Sequence, residues 1–228
     1  MKRIHIVMMV VLAICLTVPE VRADVKLRGQ IGPVKIDDNV VIPKNASATL
    51  NGTIIDGNVF LHRGAKLISK GARIYGNIQA RGALLVVLRQ QTFVGGDVQG
   101  ERTRSIRILE GTQVDGNVQV KEAAAPVDVD ALLMKSAYID GDVQAEKSSG
   151  RLRVIECEMD GNLQFVENYT GPYVIRDNWI GGDLQFFKNR QGKGRIIYNM
   201  VHGNLQSKEN RPRPTIKYNK VKGDLEIE

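Results

Sequence analysis

The stretch "VDGNVQV" occupies residues 114–120, "IDGDVQA" follows at 139–145 and "MDGNLQF" at 159–165. One phrase is being rewritten down the chain. Aligned on its glycine it recurs at Gly57, Gly76, Gly96, Gly116, Gly141, Gly161, Gly182, Gly203 and Gly223, with gaps of 19 to 25 residues that are mostly 20 or 21. Two residues before each glycine stand Ile55, Ile74, Val94, Val114, Ile139, Met159, Ile180, Val201 and Val221. Two after stand Val59, Ile78, Val98, Val118, Val143, Leu163, Leu184, Leu205 and Leu225. Apolar positions two apart mean strand, whereas a helical repeat would need three-to-four spacing and fewer glycines.

A strand-bearing unit of this length that recurs without a helix cannot bury its apolar side alone, so successive units must stack as coils. The expected fold is all-β: a single-domain right-handed parallel β-helix, or solenoid, of about nine coils of ~20 residues. Left-handed hexapeptide helices keep a strict six-residue cadence. Here the gaps vary, and the position eight before glycine runs Thr49, Ile68, Leu88, Ile108, Leu133, Arg153, Val174, Arg195, Thr215. A glycine common to nine coils marks a place that needs either φ > 0 or no side chain.

Four before glycine lie Thr53, Ala72, Thr92, Thr112, Ala137, Cys157, Asn178, Asn199 and Asn219, all small or polar and ending in an asparagine run. This resembles the asparagine ladder of pectate-lyase-type right-handed β-helices, in which side-chain amides stack at a turn. The resemblance covers the ladder and the coil length, and implies the superfold. Cys157 belongs to the same column and reads as a buried structural thiol. Units such as "ARIYGNIQARGALLVV" and "TFVGGDVQG" are also similar to the repeats of bactofilins, a likeness that implies a polymer-forming structural protein.

The chain opens "MKRIHIVMMVVLAICLTVPEVRAD", with Lys2 and Arg3 before an apolar run from Ile4 to Val18 and small residues at Val21 and Ala23. That is the pattern of a signal peptide over residues 1–23, followed by an N-terminal cap or first irregular coil over 24–50 and the solenoid over 51–228. A lipid anchor on Cys15 is the lesser alternative. The expected location is periplasmic or secreted, with no stable transmembrane segment after processing. The formal charge of +7 falls to about +5 without Lys2, Arg3, Glu20 and Arg22. Acids and bases are interspersed, and no Lys/Arg run of the nucleic-acid type occurs, which argues against nucleic acid as a partner. A single cysteine beyond residue 23 leaves stability to packing, since no internal disulfide can form.

If the positions two either side of glycine point inward, their neighbours share the outer face. Directly after each glycine, Asn and Asp alternate from Asn77 to Asp224, and a glutamine stack from Gln79 to Gln206 stands three after. Both read as structural ladders. One before glycine, Asp115, Asp140 and Asp160 fall on consecutive coils with Asp142 beside them, a crowding that asks for a cation, a base or a proton. These four are the candidate metal ligands, with calcium as the possible ion; the same carboxylates carry the enzymatic alternative, a polysaccharide lyase or glycoside hydrolase. Otherwise no cofactor is expected.

Three before glycine, Phe93, Tyr138 and Trp179 place an aromatic on every second coil. Their separation of roughly 9.6 Å along the axis is comparable with a disaccharide unit of an extended glycan. With Asn117, Gln119, Asn162 and Gln164 they form the candidate ligand site. The leading expectation is therefore an exported, non-enzymatic β-helix, a rigid scaffold or a binder of polysaccharide or a cell-envelope component on its outer face. A terminal coil studded with Lys217, Lys220, Lys222, Glu226 and Glu228 argues for a monomer or small oligomer.

Overall fold

The computed structural model describes residues 24–228; the expected signal peptide and Cys15 lie outside them. Every strand pairing among these residues is parallel, and the strands fall into three sheets of eleven, ten and ten. Each coil gives one strand to each sheet in turn. Sheet 1 takes the residues after the motif glycine, such as Val118–Lys121; sheet 2 takes segments such as Arg151–Ile155; sheet 3 takes two-residue strands such as Tyr138–Ile139. The result is a parallel β-helix of the right-handed type with about 10 turns and no helix among the described residues. Coiling begins before the first motif glycine, because Val25–Lys26 already pairs with Val40–Val41 in sheet 1.

The register explains the repeat. Val98, Val118, Val143 and Leu163 pair in succession on sheet 1, and Val114, Ile139 and Met159 on sheet 3, all fully buried. Like residues therefore stack about 4.8 Å apart in continuous apolar columns. The largest core side chains lie toward the C-terminal coils, where Tyr173 meets Phe186 edge to face with centroids 5.6 Å apart and Phe165 packs tilted against Phe186 at 6.3 Å. The Tyr173 hydroxyl donates to the Arg190 carbonyl at 2.9 Å, so its burial leaves no orphan.

At each corner the chain must satisfy backbone groups that leave one sheet before joining the next, and Asn or Asp side chains do so. Between sheets 2 and 3, Asn178 donates backbone N and Nδ2 to Asn199 Oδ1 at 3.1 and 2.9 Å, and Asn199 treats Asn219 the same way at 2.9 and 2.9 Å. This is the asparagine ladder the sequence column implies, and Cys157 N donates to Asn178 Oδ1 at its upstream end. Between sheets 1 and 2 runs a second buried ladder, Ser148, Asn168, Asn189 and Asn210, with Nδ2 to Oδ1 distances of 2.9 and 3.1 Å between its asparagines. Sequence reasoning missed it, although the column seven after glycine, with Ala83, Thr103, Ala123 and Ser148 before the asparagines, carries the same small-or-polar signal.

The third corner holds the motif glycine, and here the structure decides between the two readings of that column. None of the nine glycines has positive φ. Positive φ falls instead five before glycine, at 51° to 72° in all nine coils, and six after it, at 49° to 63° from Gly82 to Glu209. These are the residues immediately before the two buried ladders. The motif glycine is required for space: a Cβ on Gly161 would lie 2.6 Å from the Gly141 carbonyl oxygen and against Asp142 Oδ1. The coils touch backbone to backbone there, and no side chain fits between them.

Candidate functional site

The column three before glycine stays in register along sheet 3: Arg73, Phe93, Gln113, Tyr138, Glu158, Trp179, Met200 and Lys220 pair in succession. The three rings therefore lie on one face with one polar residue between each pair. All three are half-buried while Gln113 and Glu158 are exposed, as expected of flat rings that lie down on the sheet beside longer polar chains. Trp179 meets the His202 ring edge to face at 4.8 Å, and Phe93 meets Tyr75 at 5.9 Å with the Arg73 guanidinium over its ring at 5.3 Å. Tyr75, half exposed, extends the aromatic surface by one coil. It stands one before its glycine, in a column read for carboxylates rather than rings.

Around Tyr138 the carboxylates gather. Its hydroxyl donates to Asp160 Oδ2 at 2.8 Å, and that hydrogen bond, helped by partial desolvation and by the charges of Asp160, Asp140 and Glu158, pushes the phenol up to about 12. Asp115 accepts from Gln113 Nε2 at 2.8 Å. Asp142 does not stand with them: its Oδ1 is taken by Asn162 in the corner ladder. Among the described residues no group of three or more acids, histidines or cysteines is placed to hold a metal ion. Asp115, Asp140 and Asp160 are thus a line of separate carboxylates, one per coil, of which Gln113 engages Asp115 and Tyr138 engages Asp160.

The amides divide differently from the sequence expectation of one shared outer face. The Gly-Asx corner separates sheet 3, with its rings, from sheet 1, with the glutamines. Asn117 and Asn162 belong to the corner itself, and each both donates and accepts within the ladder: Asn117 Nδ2 to Asp97 Oδ1 at 3.1 Å, Asn162 Nδ2 to Asp142 Oδ1 at 3.0 Å. Gln164 donates to Gln185, which donates to Gln206, which donates to Glu226, at 2.9, 3.2 and 3.1 Å. Gln119 accepts a longer bond of 3.4 Å from Gln99. These amides brace neighbouring coils, and what borders the rings directly is Gln113, Glu158 and the aspartates.

A groove of about 470 Å³ runs beside the aromatic column, lined by Gln113, Tyr138, Glu158, Thr112, Ser136 and Glu156 among others. A larger depression of about 590 Å³ lies elsewhere, among Arg63, Arg81, Glu101 and Arg102 at the sheet 1 to sheet 2 corner. It is walled by salt-bridged side chains and meets no ring or perturbed acid-base group apart from Glu101 and Arg102, which shift chiefly by pairing with each other. The groove at Tyr138 is the better candidate, since aromatic face, hydroxyl and carboxylates converge there. Comparison of the chain with models of known families, with curated proteins and with solved structures returned no match.

Proposed function

We propose that this chain is an exported, non-enzymatic β-helix that binds an extended carbohydrate along the outer face of sheet 3. The observation that carries the reading is the in-register alternation of Phe93, Tyr138 and Trp179 on one side of one sheet. Rings two coils apart offer stacking faces to alternate sugars, and the acceptors between them, Glu158, Asp140 and Asp160, take hydrogen bonds from hydroxyls. The Tyr138–Asp160 bond fixes the central ring, so little freedom is lost on binding. The rigid coil stack supplies the straight, repeating surface. Export is supported by the basic residues and apolar run at positions 2 to 18.

The test is a panel of neutral and acidic polysaccharides scored for retention of the protein, for release of reducing ends, and for the emission of Trp179, the single tryptophan. Retention with an emission shift and no cleavage is the expected result. Cleavage would move the reading to the enzymatic alternative, and a panel that neither retains the protein nor perturbs Trp179 would leave the bare scaffold.

A further inference from the structure

The outer face of sheet 2 carries a charge pattern that the glycine-anchored alignment hides. In one column Val87, Arg107, Leu133, Arg153, Val174 and Arg195 follow each other in register. Two residues along the same strands, Lys135, Ile155, Arg176, Ile197 and Lys217 do so as well. Bases and aliphatics alternate in both columns and are offset by one coil between them. The face is a checkerboard in which each coil from Arg107 to Lys217 presents a cation and no two cations lie directly opposite. Upstream the alternation ends, because Lys70 and Arg89 stand directly opposite each other.

Like charges directly opposite on neighbouring strands repel, so this offset is the arrangement that packs cations densely at least cost. Acids meet only two of its six cations, Arg153 and Arg176. Asp130, nearly buried, is the one acid within these sheet 2 strands, and it is bound by Arg153 at 2.6 and 2.7 Å and by Arg151 at 3.3 Å. Arg176 reaches the corner acids Glu156 and Asp177. Among the described residues Lys70, Arg89, Arg107, Lys135, Arg195 and Lys217 have no ion-pair partner, and the covered Nε atoms of Arg89 and Arg107 take no acceptor. The margin of sheet 1 shows the other solution: Arg81–Glu101, Lys121–Glu146 and Lys147–Glu167 alternate in sign and pair across coils at 3.6 to 3.9 Å. A sequence that neutralises one face and leaves the other cationic has kept that field for a partner.

We infer that sheet 2 docks the protein flat against an anionic lipid surface. The cations stand on the face of a sheet and not in either depression described above, so no walls converge on a bound chain. A planar array engages a planar surface over all its coils at once, whereas a duplex nucleic acid, with a phosphate every ~3.4 Å per strand on a convex cylinder, would touch it along a narrow line. The aliphatic squares lie low between the longer basic chains: Val87 and Ile197 are 8% and 7% exposed, and Leu133, Ile155 and Val174 are partly buried. Contact is therefore made by ammonium and guanidinium heads with phosphate headgroups, without insertion. Docked this way, sheet 3 with its rings stays turned away from the membrane. The inference is independent of the carbohydrate reading.

Vesicles of phosphatidylcholine, with and without phosphatidylglycerol, are sedimented with the full chain over a salt series. The apolar run near the N-terminus is flanked by Lys2 and Arg3 and would itself favour anionic vesicles, so the deciding readout is the contrast between two charge-removal variants that both keep it. Binding is expected to depend on phosphatidylglycerol and to fall with salt. Replacing Arg107, Lys135 and Arg195 by Gln should weaken it about a hundredfold, which is about 1 kcal/mol for each charge removed. Replacing Lys121, Lys147 and Lys208 by Gln removes the same charge from the margin of sheet 1 and should leave binding within about twofold, since a charge off the docking face contributes little. Melting curves verify that both triples fold, and the single variants Arg107→Gln, Lys135→Gln and Arg195→Gln take the place of the triple if it does not. Equal loss from both triples, binding indifferent to phosphatidylglycerol, or capture by a soluble acidic polysaccharide with none by vesicles would each overturn the inference.

Discussion

Asp142 Oδ1 receives two hydrogen bonds from Asn162, from the backbone N at 2.7 Å and from Nδ2 at 3.0 Å, while the Asp142 backbone N donates to Asn117 Oδ1 at 2.9 Å. The carboxylate in this ladder is thus served by the following coil alone, and the preceding amide spends its Nδ2 on Asp97. Asn in place of Asp keeps the acceptor oxygen, and an Asn–Asn step already exists between Asn58 and Asn77. Asp142→Asn is expected to change unfolding free energy by less than about 1 kcal/mol. Asp142→Ala strands both donors of Asn162 and should cost roughly 1–3 kcal/mol. Urea titrations of the two variants decide the matter, and equal losses would mean that the charge, not the acceptor geometry, sustains the corner.

Steric contact rather than backbone conformation makes Gly161 irreplaceable, so even the smallest side chain should be felt. Gly161→Ala is expected to destabilise by about 1–3 kcal/mol and Gly161→Val by more, because the added atoms press on backbone that cannot swing aside. An unchanged melting temperature for Gly161→Ala would contradict the close approach to Gly141.

Where φ is positive the prediction reverses. Lys188 sits at 54° immediately before Asn189, and a non-glycine residue held there carries strain of order 1 kcal/mol. Lys188→Gly should therefore be neutral or stabilising by up to about 1 kcal/mol, whereas Gln185→Gly, in the strand of the same coil, should lose roughly 0.5–1 kcal/mol. Thermal melts of the pair, run side by side, test the assignment of the left-handed corner.

Cys157 is 3% exposed, and burial pushes its thiol from 9.0 up to about 11. The folded state holds that proton more tightly than the unfolded chain does, so the contribution is fully present below pH 9.0 and is lost as pH rises toward about 11. Stability measured by urea titration should decline across that window, and Cys157→Ala should flatten the decline. In the native chain near neutral pH, alkylation should be slow and should quicken sharply in denaturant.

On the carbohydrate face, Tyr138→Phe removes the bond to Asp160 and keeps the ring, while Tyr138→Ala removes both. If stacking dominates, Phe should bind within about threefold of the native protein and Ala about tenfold more weakly, the latter corresponding to about 1.4 kcal/mol. Trp179→Ala should match Tyr138→Ala. Fluorescence or retention titrations with the polysaccharide identified by the panel give these ratios, and an equal loss in Phe and Ala would assign the affinity to the hydroxyl instead.

The asparagine column at 178, 199 and 219, the inward valines and isoleucines, and the placing of Phe93, Tyr138 and Trp179 on one face were legible because a solenoid is built of nearest-neighbour contacts. Each coil meets only the coils before and after it, so a period along the chain becomes a column in space. By itself the sequence determined the strand period, the parallel stack, the burial of Cys157 and the need for glycine at the motif. Only the tertiary structure decided what happens at the corners. The coils ending in Gly96 and Gly116 carry one residue more between sheet 2 and the glycine. Counting eight back from glycine there lands on buried Leu88 and Ile108, when Val87 and Arg107 are the residues in register with Ile68 and Leu133. That slip concealed the basic checkerboard. The corner that separates the glutamines from the rings was equally invisible, as was the assignment of positive φ to the residues before Asn178 and Asn189. Hydrogen-bond ladders between coils fix the register strand by strand, so an extra corner residue is looped out locally and the columns resume, and no count along the chain from a single anchor contains that information.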